Sequence, residues 1–124
     1  MAVSNTYKEF IAELLAPVGP VAIKRMFGGA GVYAEGVAFA ILDDDVMYFK
    51  VDDTTRPKFE TAGMGPFTYT SKSGQHALTS YFRCPEQLFD EPDELNAWAR
   101  EAILVAKRAA AATKPKAKTA PNPS

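Results

Sequence analysis

The chain has little of what most catalytic and metal sites need. Its 124 residues include one cysteine, Cys84, and one histidine, His76. A single cysteine excludes an internal disulfide and cannot build a zinc site by itself. No apolar run approaches the roughly 20 residues that span a bilayer. The N-terminal MAVSNTYKEF also lacks the basic start and apolar stretch of a secretory signal. We therefore expect a cytoplasmic protein with no membrane segment.

Acidic residues are missing from the end of the chain. All 15 lie at or before Glu101, whereas five of the 14 basic residues follow Ala106. Residues 1–106 hold nine basic and 15 acidic side chains, a net charge of −6, and the remaining residues carry +5. With 47% hydrophobic residues the chain can bury a core. We predict one domain over residues 1–112 and a disordered basic tail, rich in Pro, Lys and Ala, over residues 113–124.

Hydrophobic periodicity predicts an α+β fold. A helix carries the apolar stripe Tyr7, Phe10, Ile11, Leu14 and Leu15, with Thr6 and Ser4 as competing N-caps. Residues 21–51 alternate as a three-stranded meander, residues 54–62 form a short helix, and a second hairpin follows. A last helix opens at Asp90 or Glu91 with Pro92. The predicted order is α-βββ-α-ββ-α, in two layers, with an antiparallel sheet of about five strands packed by helices.

The stretch RMFGGAGVYAEG fits a dinucleotide-binding pattern, Gly29-x-Gly31-x-x-Ala34, with Asp52 and Asp53 about twenty residues further on. That motif binds pyrophosphate because its last small residue opens a helix, whose N-terminal amides face the anion. Here the glycines lead into another alternating strand. We therefore predict no nucleotide cofactor, and we interpret the glycines as a sharp bend in one long strand or as a place where another backbone crosses closely.

The other candidates for chemistry are weak. His76 lies in or beside a polar loop, and Ser80 is too far along a strand to pair with it. Cys84 stands beside Arg83, which favours a thiolate, but the strand end at Pro85 favours a packed side chain. Three adjacent carboxylates, Asp43 to Asp45, cannot converge on one cation from a tight turn. We assign no catalytic residue, no cofactor and no metal site.

Basic and aromatic residues are the remaining candidates for contact with nucleic acid or a partner. Tyr48 and Lys50 share one face of a strand, as do Tyr81 and Arg83. Such mixed faces can stack bases and neutralise phosphates, although the net charge of residues 1–106 repels a polyanion. Supporting the sheet is the competing interpretation for the aromatics. The candidate contact residues are Lys24, Arg25, Tyr48, Lys50, Lys114, Lys116 and Lys118.

Taken together, the stretch KRMFGGAGVYAEGVAFAILDDDVMYFKVDDTTRPKFE, then PFTY and YFRCPEQLFDEPDELNAWAREAI, resembles the N-terminal domain of the TfoX/Sxy proteins, regulators of bacterial natural competence. The likeness covers about residues 7–106. It implies an α+β domain similar to secretion chaperones, without catalytic residues. The residues that match the family motif, which we expect to be structural, are Met26, Phe27, Gly28, Gly29, Gly31, Tyr33, Gly36 and Trp98.

The resemblance also implies work linked to transcription, beside the cyclic-AMP receptor protein at promoters. We therefore expect a non-enzymatic regulatory module that contacts a protein partner, such as the transcription machinery, through its sheet or a helix face. The basic tail adds weak contact with DNA in this hypothesis. The alternative is a homodimeric scaffold or chaperone-like protein, since exposed sheet edges pair between subunits.

Overall fold

The computed structural model describes residues 4–26 and 29–113. Within them the chain forms three α-helices and six strands. Their bounds are α1 (Asn5–Leu14), β1 (Ala22–Met26), β2 (Gly29–Ala34), β3 (Val37–Asp43), β4 (Val46–Lys50), α2 (Arg56–Thr61), β5 (Pro66–Ser71), β6 (Gly74–Arg83) and α3 (Pro92–Thr113). Short 3₁₀ turns, Ala16–Val18 and Glu86–Asp90, precede β1 and α3. None of these helices is long and apolar enough to cross a membrane.

The described strands make one antiparallel sheet in the order β1-β2-β3-β4-β6-β5, with the helices packed on one face. The predicted α+β class is therefore confirmed. The prediction of a single bent strand over residues 21–34 is wrong, because Arg25 pairs with Ala30 and Met26 with Gly29. The chain reverses direction between Met26 and Gly29. This extra hairpin makes the order α-ββββ-α-ββ-α and the strand count six rather than about five.

The main core lies between the helices and the sheet. Alternation directs Met47 and Phe49 of β4 towards the helices, where both are almost fully buried. From α3 the core receives Leu95, Ala99, Ala102 and Ala106, spaced by three and four residues as one helical stripe. Phe59 of α2 joins the layers, since its ring centroid lies 6.4 Å from that of Phe49 and 4.9 Å from that of Trp98.

The N-cap of helix α1 is Ser4 and not Thr6. The Oγ of Ser4 accepts a hydrogen bond from the Tyr7 N–H at 3.1 Å, which satisfies one of the free amides of the first turn. Ile11 and Leu15 are fully buried, but Phe10 is 44% exposed. The buried stripe of α1 is therefore narrower than the sequence pattern predicts, and Phe10 is left at the surface.

The hairpin of β5 and β6 bends away from the rest of the sheet. Pro66 pairs with Phe82, but the next residue, Phe67, pairs with Leu78, so residues 79–81 have no partner on β5. There β6 turns to β4 instead, where Tyr81 pairs with Lys50. Such a bulge increases the local bend of a strand. It carries the hairpin onto the sheet face that the helices leave uncovered.

Candidate protein-binding surfaces

The glycine motif lies within a hairpin and not at a helix. Gly29 and Gly31 both belong to β2, which continues into strand β3, so no helix N-terminus faces them. A Cβ at Gly29 would lie 2.3 Å from the carbonyl oxygen of Leu42, closer than real Cβ atoms come. Because Gly29 has no Cβ, the backbone of β3 can lie this close to β2. Gly36 follows Glu35 in the next turn, both with positive φ, of 84° and 52°. Phe27 and Gly28 lie outside the described residues.

The only histidine forms a small polar cluster at the hairpin tip. Its Nε2 lies 2.8 Å from the Oγ of Ser71 and 2.9 Å from that of Ser73, and its ring stacks on Tyr69. The pairing of β5 with β6 brings Ser71 and Ser73 close to His76, whereas the serine considered from the sequence was Ser80. Among the described residues no carboxylate hydrogen-bonds to His76. The cluster therefore lacks the third group that would orient a catalytic base.

Cys84 is a core residue. Its side chain is 2% exposed, and burial raises the pKa of the thiol to about 12. Arg83, its neighbour in sequence, is exposed. The guanidinium of Arg83 forms a long ion pair with the carboxylate of Glu86, at 3.9 Å. A protonated, buried thiol is a poor nucleophile.

The aspartate turn between β3 and β4 is a tight, left-handed turn. Asp44 and Asp45 have φ of 53° and 57°, the geometry that favours Asp and Asn in two-residue hairpins. Asp45 accepts hydrogen bonds from the N–H and Oγ of Ser4, at 3.1 and 3.3 Å, and so ties α1 to the turn. No group of three His, Cys, Asp or Glu side chains in the described part of the chain is placed to hold a metal ion.

The face of the sheet away from the helices, called here the open face, carries Tyr48 and Lys50 of the predicted contact residues, together with Tyr81 and Arg83. Tyr48 lies opposite Arg83, and Lys50 lies opposite Tyr81, so that all four side chains share this face. The ammonium of Lys50 lies 4.9 Å from the centre of the Tyr81 ring, and Tyr81 is only 8% exposed. Tyr48 packs edge-on against Phe67 of the bent hairpin, at 5.0 Å. These rings are already occupied within the domain, which disfavours base stacking.

The predicted basic pair on β1 is divided between the two sides of the sheet. Lys24 lies opposite Gly31 and over the Tyr33 ring, 5.3 Å from its centre. Arg25 lies opposite Ala30, which belongs to the helix-side core, and is exposed. Lys114, Lys116 and Lys118 lie outside the described residues.

Two of the basic residues that follow Ala106 pair with acidic residues of the domain. Lys107 lies on α3, and its Nζ is 2.6 Å from a carboxylate oxygen of Glu35. The guanidinium of Arg108 lies 2.7 Å from a carboxylate oxygen of Asp52. Helix α3, which continues to Thr113, brings both residues onto these partners.

A cavity of about 710 Å³ lies beside the hairpin. Every residue of β5 from Phe67 to Ser71 lines it, whereas β6 contributes only Leu78 and β3 only Asp43. The space therefore borders β5 from Phe67 to Ser71 and is lined from β3 by Asp43. Tyr69, on the same strand, is 46% exposed.

A groove of about 550 Å³ lies between α1 and the start of α3. Its walls include the exposed ring of Phe10, Pro17 and Pro92, and its charged residues are Glu13, Asp93 and Arg100. Of the other acidic side chains at this end of α3, Glu91 and Glu94 line a separate pocket with Lys58 and Trp98. The groove thus joins an apolar surface to two carboxylates and one guanidinium.

Asn96 holds the two walls of this groove together. Its Nδ2 donates to the carbonyl of Leu14 at the end of α1, at 3.1 Å, and to that of Pro92 at 2.8 Å. The side chain is 3% exposed, and its Oδ1 has no hydrogen-bond partner among the described residues. Since Asn96 crosslinks the helix ends, the groove is formed before any partner arrives.

These observations define a small α+β domain with an apolar groove between α1 and α3. The model of the TfoX N-terminal domain matches residues 13–106. The chain therefore belongs to the TfoX N-terminal domain family, which is associated with competence and transcription regulator proteins. No match was found among curated proteins.

Proposed function

We propose that this domain is a non-enzymatic regulatory module, which acts in competence or transcription regulation by binding a protein partner in the groove between α1 and α3. The observation that carries the proposal is Phe10, which is 44% exposed on the wall of a preformed groove. Exposed aromatic residues beside a pocket are frequent anchors of protein interfaces. Membership of the TfoX N-terminal domain family supports the regulatory role.

The charges around the groove select the chemistry of the partner. Glu13 and Asp93 line it, and Arg100 is the basic residue of the lining. Arg100 donates to the carbonyl of Pro17. With two carboxylates against one guanidinium the lining is acidic, which favours lysine and arginine over nucleic acid. The partner segment therefore presents an apolar side chain flanked by basic residues.

Site-specific photo-crosslinking tests the location of this site. The photoreactive analogue p-benzoylphenylalanine replaces Phe10 in one full-length variant and Leu104 in a control. Leu104 suits this purpose because it is 54% exposed on α3 and does not line the groove. We expect a defined protein to crosslink at position 10 and not at position 104.

Calorimetry with that protein, once purified, completes the test. Phe10→Ser should weaken its binding at least about tenfold, as expected for loss of an anchor, and Leu104→Ser should leave binding unchanged. Equal crosslinking at both positions, or full affinity of Phe10→Ser, would reject the groove as the site.

Contact of the tail with DNA is the second candidate function. The lysines at positions 114, 116 and 118 follow the last described helix without any acidic residue between them. A short basic segment of this kind binds DNA without sequence preference and with strong salt dependence. Fluorescence anisotropy at two salt concentrations tests it on the full chain and on a variant with these three lysines changed to alanine. Binding that needs the lysines and falls with salt supports the role, and no binding by either protein excludes it.

A further inference from the structure

The two edges of the sheet differ in their protection against pairing with another chain. Edge strand β1 carries Lys24 and Arg25, and charged side chains are a common protection of exposed edges. The other edge strand, β5, has the sequence PFTYTS and contains no charged residue. Its residues Thr68 to Ser71 are all exposed. Threonine and aromatic residues favour strand pairing, so β5 is an unprotected edge.

In the described part of the chain, no helix lines the space beside β5. The cavity of about 710 Å³ borders this strand, and Asp43 of β3 is the one described residue that lines it from outside the β5–β6 hairpin. Pro66, which cannot donate a backbone hydrogen bond, stands at the first position of β5, and the residues after it keep their N–H groups. Because alternate residues already bond to β6, the strand offers the outward backbone groups of every second residue between Phe67 and Ser71 for pairing.

The sequence of β5 is self-complementary around Tyr69. An antiparallel copy centred on this residue places Tyr69 opposite Tyr69 and Thr68 opposite Thr70. Phe67 then lies opposite Ser71. Cross-strand pairs of threonine and of aromatic residues stabilise sheets. Lys72 of each copy lies opposite Pro66 of the other, so no like charges are opposed along the paired strands.

From these observations we propose that a second copy of this chain binds along β5, so that the two sheets join antiparallel about a two-fold axis at Tyr69. The interface is isologous, because each copy contributes the same strand. The ring of Tyr69 already stacks with Phe67 and His76, with centroids 6.0 and 5.2 Å apart, and is therefore held in place for this contact. This interface lies on a different surface from the groove between α1 and α3 and does not depend on it.

Sedimentation velocity of the full chain over a range of concentrations measures the association. We expect a reversible dimer, whose dissociation constant rises at least about tenfold in Tyr69→Lys, because the change opposes two lysines at the axis. Leu104→Lys, which adds the same charge at an exposed position of α3, should dimerise like the wild type. Circular dichroism and the melting temperature verify that both variants fold.

Disulfide trapping tests the register. Cys84 is the only native cysteine and is buried, so a cysteine introduced at the surface reacts alone. Opposed residues of antiparallel strands lie within the Cα separation that a disulfide spans. Tyr69→Cys should crosslink to itself, and a mixture of Thr68→Cys with Thr70→Cys should crosslink between variants. Leu104→Cys serves as the control.

Three results would overturn the proposal: a wild type that stays monomeric at all concentrations, a dimer that Tyr69→Lys leaves intact, or crosslinking of Leu104→Cys as efficient as that of Tyr69→Cys. None of them bears on binding of a partner at Phe10, which the crosslinking at position 10 measures separately.

Discussion

The guanidinium of Arg108 donates to the carboxylate of Asp52 at 2.7 Å and joins the last helix to the loop that begins α2. The other carboxylate oxygen accepts the N–H groups of Thr54 and Thr55, at 3.0 and 3.2 Å. One side chain therefore holds both the start of α2 and the C-terminal part of α3. Together with the pair of Lys107 and Glu35, it fixes α3 along the sheet.

This arrangement predicts a dependence of stability on pH. The hydrogen bonds from Arg108 and Thr54 hold the pKa of Asp52 well below its usual value. Because the folded chain has the lower pKa, the stabilisation is fully present above the unfolded pKa of about 4 and is lost as the pH falls through the folded value. We expect the melting temperatures of the wild type and Asp52→Asn to differ at neutral pH and to converge in acid. Asparagine keeps one acceptor oxygen, for Thr54 and Thr55, and replaces the oxygen that accepts from Arg108 with an uncharged NH2 group.

Asp53→Asn is the matched control for this measurement. The carboxylate of Asp53 is 96% exposed, although it lies 2.7 Å from Arg56. Exposed ion pairs of this kind contribute little to stability. Its melting temperature should follow that of the wild type over the same pH range. A gap between wild type and Asp52→Asn that persists unchanged in acid would contradict the electrostatic explanation.

Gly29→Ala should destabilise the domain. The new Cβ would lie 2.3 Å from the carbonyl oxygen of Leu42, so β2 and β3 would have to separate. Overpacking at such a contact costs about 1–3 kcal/mol in the free energy of unfolding. Urea denaturation measures the loss. Gly65→Ala is the control, since no atom lies within 4 Å of an added Cβ there. Equal stability of both variants would show that β3 can move away from Gly29 without cost.

Trp98→Ala should loosen α3 from the short helix α2. The Trp98 ring lies edge-on to Phe59 at 4.9 Å, and the Lys58 ammonium lies 4.1 Å from its centre. Lys58 also forms an ion pair with Glu101. Since Trp98 is half-buried, we expect a loss of about 3 kcal/mol in the free energy of unfolding, at the low end for a buried tryptophan. Leu104→Ala, at an exposed position of the same helix, should change stability by less than about 0.5 kcal/mol.

Cys84 should react slowly with a thiol reagent while the domain is folded. Burial leaves 2% of the residue exposed and raises its pKa to about 12, so the thiolate is scarce and inaccessible at neutral pH. We expect rapid reaction with Ellman's reagent in urea and little without it. Fast reaction of the native protein would indicate that the strand end at Cys84 opens readily.

Much of the fold could be predicted from local patterns. The stripe Leu95, Ala99, Ala102 and Ala106 faces the core with helical spacing, and the turn at the aspartates occurs where predicted. Tyr48 and Lys50 also share a face, because alternation along a strand depends only on neighbouring residues.

The incorrect predictions concern features that depend on contacts between segments distant in the sequence. From the sequence alone, the glycines could lie at a bend within one strand or at the end of one strand and the start of the next. The outcome depends on β3, because the carbonyl of Leu42 lies against Gly29. Phe10 fits the apolar stripe of α1, yet it is exposed. The partners of Lys107 and Arg108 lie 72 and 56 residues earlier in the chain, so no local pattern indicates them.

By itself, then, the sequence determined the α+β class, the helices, the turn at the aspartates, and the family likeness. These depend on periodicity and short motifs, which neighbouring residues set. Only the tertiary structure decided that β5 forms an edge, that Asn96 joins two helix ends into a groove, and that Asp52 meets Arg108. Each of these depends on contacts between distant segments, which packing of the whole core brings together.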